Sequence, residues 1–138
     1  LELRAAMRAV EHITPEELGK LRTLVAGMDG YVALGNVHGI VRCDRAFHDT
    51  LCQAGRNQFI ATLNAMLYDA LDDARTSVFT VLPQVRTLLA QEHRAILEAI
   101  RKRDLAALQE AITDHMESFR RDICKAVEMS QEKGDEYG

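Results

Sequence analysis

Four polar side chains stand where helical periodicity calls for apolar ones. Over 37–51 the residues at three- and four-residue spacing are Val37, Ile40, Val41, Asp44, Phe47, His48 and Leu51, so Asp44 and His48 interrupt an apolar stripe. Four apart on a helix, they project from one face on successive turns. A second stripe, Val85, Leu89, His93, Ile96 and Ile100, has His93 at its middle, and a third, Leu105, Leu108, Ile112, His115, Phe119 and Ile123, is interrupted by His115. A carboxylate and three imidazoles facing a core are costly unless partners satisfy them. One solution is a shared divalent cation: Asp plus three His suits zinc, nickel or manganese, and no thiolate joins the set. The alternative is four separately satisfied core groups, with Asp44 and His48 as a local hydrogen-bonded pair. No HExxH motif is present, so the general base of a metalloprotease is missing, and Glu92 points about 100° away from His93.

The elements that would position these groups are all helices. The chain has 138 residues, 47% hydrophobic and 28% charged, with only two prolines and eight glycines. That is one ordinary globular domain, and no segment alternates with the period of a strand. Helices are expected over about 1–11, from Thr14 with Gly27 and Gly30 loosening the end, over 34–54 with Gly55 as the stop, from Asn57 onward, over 82–102, and from Asp104 to about 129. Residues 77–83 break the pattern, and 131–138 form a polar, frayed tail. Thr14-Pro15-Glu16-Glu17 reads as a capping box with proline in the first turn, and Asn57 and Asp104 read as caps. His93 lies eleven residues before Asp104 and His115 eleven after it. An antiparallel hairpin therefore brings both to about 16 Å from the turn. The expected fold is an all-α antiparallel bundle of about six helices with a central metal site and short connections.

Other residues are weaker candidates. Arg75 follows Leu67 and Leu71 by helical spacing; it either turns inward to anchor a carboxylate or sits in solvent at a helix end. Asn64 and Tyr68 lie near the same face and could line a cavity. Cys52, one turn beyond His48, is a packing residue or a fifth ligand. Arg42 has a poorer phase, and His12 and His38 fall near helix ends.

Charge and cysteines narrow the setting. Seventeen Lys and Arg against twenty-one Asp and Glu leave −4, the wrong sign for a domain that binds nucleic acid by itself. No apolar run reaches the ~18 residues of a membrane span, and no signal-peptide pattern is present. Three cysteines without a CxxC fit a reducing compartment, the cytoplasm. The stretch from Leu1 already reads as helix interior, which suggests that a further domain precedes it.

Three motifs carry a family resemblance. Asp44-Arg45-Ala46-Phe47-His48, followed by Leu51, Ala54 and Asn57, resembles the pattern D-x-x-F-H-x-x-L-x-x-A-x-x-N of the FCD domain, the ligand-binding domain of the FadR-like branch of GntR-type bacterial transcription regulators. Glu92-His93-Arg94-Ala95-Ile96-Leu97-Glu98-Ala99-Ile100, leading to Asp104, is similar to that family's second motif, and Ile112-Thr113-Asp114-His115-Met116 to its closing one. Thr14-Pro15-Glu16-Glu17-Leu18 resembles its usual second-helix start. The resemblance spans nearly the whole chain. It implies an effector-binding helical domain over about 1–130 with Asp44, His48, His93 and His115 as metal ligands. It implies a small carboxylate effector at the metal, a homodimer, and DNA binding only through a winged-helix domain N-terminal to this one. Leu108 departs from a smaller residue in the family and would reshape the cavity. The implied role is a sensor and not an enzyme. A metal-dependent hydrolase or lyase using the same four residues is the alternative, and a purely structural helical module a third reading.

Overall fold

A computed structural model describes residues 2–137. Its six α-helices are α1 (Glu2–His12), α2 (Pro15–Leu34), α3 (Val37–Ala54), α4 (Gln58–Val81), α5 (Val85–Arg101) and α6 (Leu105–Tyr137), with no strand among the described residues. What Leu1 does lies outside them. The all-α bundle expected from the periodicity is therefore the fold.

Local chemistry sets most helix starts. Thr14 Oγ1 accepts from the Glu17 amide at 3.1 Å while the Glu17 carboxylate accepts from the Thr14 amide at 3.1 Å, closing the capping box. Asn57 and Asp104 cap α4 and α6 through Oδ1, accepting from Ile60 and Ala107. Asn36, not singled out from sequence, caps α3 by accepting from Gly39 at 2.9 Å.

Several boundaries differ from expectation, each because tertiary burial outweighs a local signal. α2 runs through Gly27 and Gly30 and stops only at Gly35, in the left-handed region at φ 67°. A helical glycine costs about 1 kcal/mol, and burying Met28 and Val25 between them offsets it. α3 thus begins at Val37 rather than Leu34. α4 carries on through 77–81, because Val78 and Phe79 are buried. α6 continues through 131–137 of the segment expected to be a frayed tail, and Gly138 lies outside the described residues. On α4 the buried face is Ile60, Asn64, Arg75, Val78 and Phe79; of the leucines at helical spacing, Leu67 is exposed and Leu63 and Leu71 are half-buried. Leu105 of the α6 stripe is also exposed.

Gly55 does not stop α3 by a left-handed turn. Its φ is −71°, and Arg56 takes the positive φ of 58° instead. The glycine is needed for close approach: a Cβ there would sit 2.8 Å from the Ala5 carbonyl oxygen, a backbone atom of α1 that cannot swing aside. Gly55→Ala is expected to destabilise the fold by about 1–3 kcal/mol in urea unfolding, as overpacking does; a change below about 0.5 kcal/mol would refute the close-contact explanation.

α3 is the central rod, packed on α1, α2 and α4, while the α5–α6 hairpin closes on it through α2, α1 and α4. Two large apolar clusters and a small one, Ala5, Cys52 and Ile60, result. One large cluster joins Ala6, Leu21, Phe47, Leu51, Ile96, Ile100, Leu108 and Ile112; the other joins Met28, Ile40, Val41, Val78, Phe79, Val85, Leu89 and Ala126. Along α3, α5 and α6 respectively, Asp44, His93 and His115 fall in sequence between members of the two clusters, with His48 one turn beyond Asp44. The bundle thus holds a polar layer between two apolar ones.

Candidate metal centre

Asp44 and His48 from α3, His93 from α5 and His115 from α6 occupy that layer, all buried, with one donor atom of each within 4.8 Å of the others. His48 Nε2 lies 3.1 Å from His93 Nε2 and 3.2 Å from His115 Nε2. Asp44 Oδ1 lies 3.0 Å from His48 Nε2 and 2.7 Å from His93 Nε2. Two atoms each bound at ~2.1 Å to one ion stand about 3.0–3.4 Å apart at octahedral to tetrahedral angles; three of these edges fall in that range and the 2.7 Å edge lies just below it, the spacing of a shared ion.

The protons are already committed elsewhere. His93 Nδ1 donates to the Leu89 carbonyl at 2.8 Å, His115 Nδ1 to Glu92 Oε1 at 3.2 Å, and His48 Nδ1 to Glu2 Oε1. A neutral imidazole has one N–H, so all three Nε2 atoms present lone pairs. Burial keeps the rings neutral: it holds His48 well below the usual histidine value, lowers His93 to about 4 and lowers His115. Asp44 Oδ1 accordingly has no hydrogen-bond donor although two imidazoles surround it. Four electron-pair donors meet without a proton among them, which is the donor set a divalent cation requires. The bonds at Nδ1 to two carboxylates and a carbonyl are the outer partners that orient metal-binding imidazoles.

Protein stripped of metal should weaken in mild acid. Neutral-only burial lowers the folded pKa of these histidines below the unfolded value near 6.5, so stability is complete above pH 6.5 and is lost as pH falls toward about 4, the folded value of His93. For His93 alone the loss from pH 7.5 to 4.5 is about 2 kcal/mol. Urea midpoints of chelated protein should therefore drop more between those pH values than midpoints of chelated His93→Gln; equal drops would contradict a buried neutral His93.

Of the remaining candidates, Asn64, Tyr68 and Arg75 gather beside the cluster around a cavity of about 360 Å³. Arg75 points inward, not into solvent: α4 continues past it, and its guanidinium pairs with Asp44 Oδ2 at 2% exposure. It lies 4.4 Å from the Tyr68 ring centroid and 5.8 Å from that of Phe119, and burial lowers its pKa to about 9, so it remains charged at neutral pH. Tyr68 stacks on His48 at 5.3 Å, and burial pushes its phenol pKa up. Asn64 is buried on the cavity with its Nδ2 unpartnered. Cys52 stays outside the cluster, packed with Ala5 and Ile60, its thiol pushed up to about 11 by burial. Arg42 is exposed beside Tyr31, and Leu108 sits in the apolar core instead of lining the cavity.

Sequence reasoning missed Glu2 and Glu92. Glu92 does face away from the His93 direction, as its phase requires, but that direction is toward α6 and His115. Its position next to His93 was the available signal; Glu2, 46 residues before its partner His48, offered none.

Comparison with known proteins agrees with this architecture. The chain is 35% identical over 85 residues to a putative transcriptional regulatory protein, NedR, of Micromonospora viridifaciens, a match covering 62% of this chain and 61% of that protein. Its fold superposes on the solved structure of E. coli McbR/YncC with a TM-score of 0.80 at 16% identity, covering 94% of this chain and 60% of the other. The chain thus spans about three fifths of the length of each. The model of the FCD domain matches residues 1–118, and with the motifs and bundle in agreement the chain belongs to the FCD domain family.

Proposed function

We propose that this domain is the metal-dependent sensor of a GntR-type transcription regulator, binding a small carboxylate metabolite at a buried ion and modulating DNA binding by a separate N-terminal winged-helix domain. Family membership and the resemblance to a putative transcriptional regulatory protein support the regulatory role. The observation that carries the chemistry is the convergence of three lone-pair nitrogens and an undonated carboxylate oxygen. Asp44, His48, His93 and His115 would hold zinc, nickel or manganese. Bound there, the ion supplies a fixed positive charge able to take a carboxylate oxygen. Arg75 and Asn64 offer N–H donors at the cavity floor to orient that carboxylate, and Tyr68 holds His48 and Arg75 in place.

The hydrolase or lyase alternative needs a free base over the cavity. The carboxylates of Glu2 and Glu92 are engaged by His48 and His115, which favours binding without turnover. A homodimer fits Phe59 and Met66, seven apart on α4 and 72% and 62% exposed, an apolar face a second copy would cover. A cytoplasmic setting fits three free cysteines. No helix among the described residues is long and apolar enough to cross a membrane. An effector shifts DNA affinity only by its differential affinity for two arrangements of the protein, typically about 1–3 kcal/mol. Isothermal titration of candidate acids into metal-loaded and chelated protein tests the reading: binding should require the ion, and equal affinity without it would remove the metal from recognition.

A further inference from the structure

The cavity beside the cluster is divided by chemistry. Its buried polar groups, Glu2, Asp44, Asn64, Arg75 and His115, line its inner end. Asn64 is 2% exposed and its Nδ2 has no partner, so a buried donor awaits an acceptor at that end. The walls leading outward are Leu67, Leu71, Leu89, Met116, Phe119 and Ile123. The cation at the mouth, Arg120, is paired with Glu117 at 3.1 Å and is largely solvated. A ligand hydroxyl or second carboxylate placed against those walls would lose water without gaining a partner, a penalty that selects against polyhydroxylated and polycarboxylic acids. At ~30 Å³ of liquid volume per water, 360 Å³ corresponds to about twelve non-hydrogen atoms.

Resting on the sensor reading above, we infer that the effector is an amphipathic monocarboxylic acid of about ten non-hydrogen atoms, a medium-chain or arylalkanoic acid whose carboxylate meets Arg75 and Asn64 and whose apolar body fills the wall between α4 and α6. The acid enters head first, because the buried donors on the lining, Asn64 Nδ2 and the Arg75 guanidinium, lie inward of the exposed Met116 and Arg120.

The test is calorimetric titration of the metal-loaded protein with acetate, butanoate, hexanoate, octanoate and phenylacetate, and with malate and citrate. Affinity should rise by about fourfold per methylene, the transfer gain of one CH₂, making octanoate at least 100-fold tighter than acetate and tighter than citrate. A flat series, or citrate or malate binding more tightly than octanoate, would overturn the inference while leaving carboxylate sensing intact. Binding of no acid from either class would overturn the sensor reading itself. Met116 is 46% exposed at the mouth, so Met116→Gln keeps shape and fold. It should weaken octanoate about tenfold and leave acetate unchanged; an equal loss for both acids would contradict the wall's role.

Discussion

Stripping the ion with a chelator is expected to lower the melting temperature by about 10–20 °C. An ion that binds the folded chain alone stabilises it by about 4 kcal/mol at a thousandfold excess over its dissociation constant. For a chain of this length each kcal/mol is worth roughly 3–5 °C. The physical source is the meeting of Asp44 Oδ1 with three Nε2 lone pairs in a buried layer whose cation is Arg75, paired with Asp44 Oδ2. With the ion these donors attract a common centre; without it they face one another in a desolvated space. Scanning calorimetry with and without chelator measures the shift, and elemental analysis gives the stoichiometry, expected to be one ion per chain. His93→Ala should abolish both stoichiometric metal and the chelator effect. Unchanged melting on chelation, with substoichiometric metal as purified, would mean that the four groups satisfy one another and that the site is structural.

Arg75→Leu should separate two roles of one side chain. In chelated protein Arg75 is the countercharge of Asp44, and removing one partner of a buried ion pair costs about 3–5 kcal/mol. In metal-loaded protein the ion supplies that countercharge, so the same substitution should cost much less. Carboxylate affinity should nonetheless fall at least thirtyfold in the loaded variant, as expected when a buried charged hydrogen-bonding partner costing about 2 kcal/mol or more is lost. Arg75→Lys should not restore it, since an ammonium lacks the planar fork held between Tyr68 and Phe119. Urea unfolding in both metal states, with titration of the acid, gives the result. Wild-type acid affinity in Arg75→Leu would exclude the guanidinium from effector binding; equal destabilisation in both states would mean that no ion shares Asp44.

Much of the centre is legible in the sequence because helices turn spacing into direction. Asp44, His48, His93 and His115 each break a stripe whose other members are apolar, and the symmetric distances about Asp104 set His93 and His115 at one depth. Thr14, Asn57 and Asp104 are equally legible, since a cap involves only the residues beside it. The signals that misled were also local. Gly27, Gly30 and the 77–81 stretch weaken a helix by about 1 kcal/mol apiece at most, less than burying Met28, Val78 or Phe79 returns. The leucines of α4 suggest the wrong phase: the side facing the cluster carries Asn64 and Arg75, with Leu67 and Leu71 turned to the cavity wall.

By itself, then, the sequence determined the helical class, most helix starts and which four polar residues break the apolar stripes, because each depends on periodicity or on neighbours within a turn. Only the tertiary structure decided that Arg75 closes on Asp44, that Glu2, Glu92 and the Leu89 carbonyl direct the imidazoles, and that the cavity has a polar end and apolar walls. Those contacts mostly join helices distant along the chain. Their geometry depends on the rotation of one packed rod against another, a quantity that no single helix's residue pattern contains.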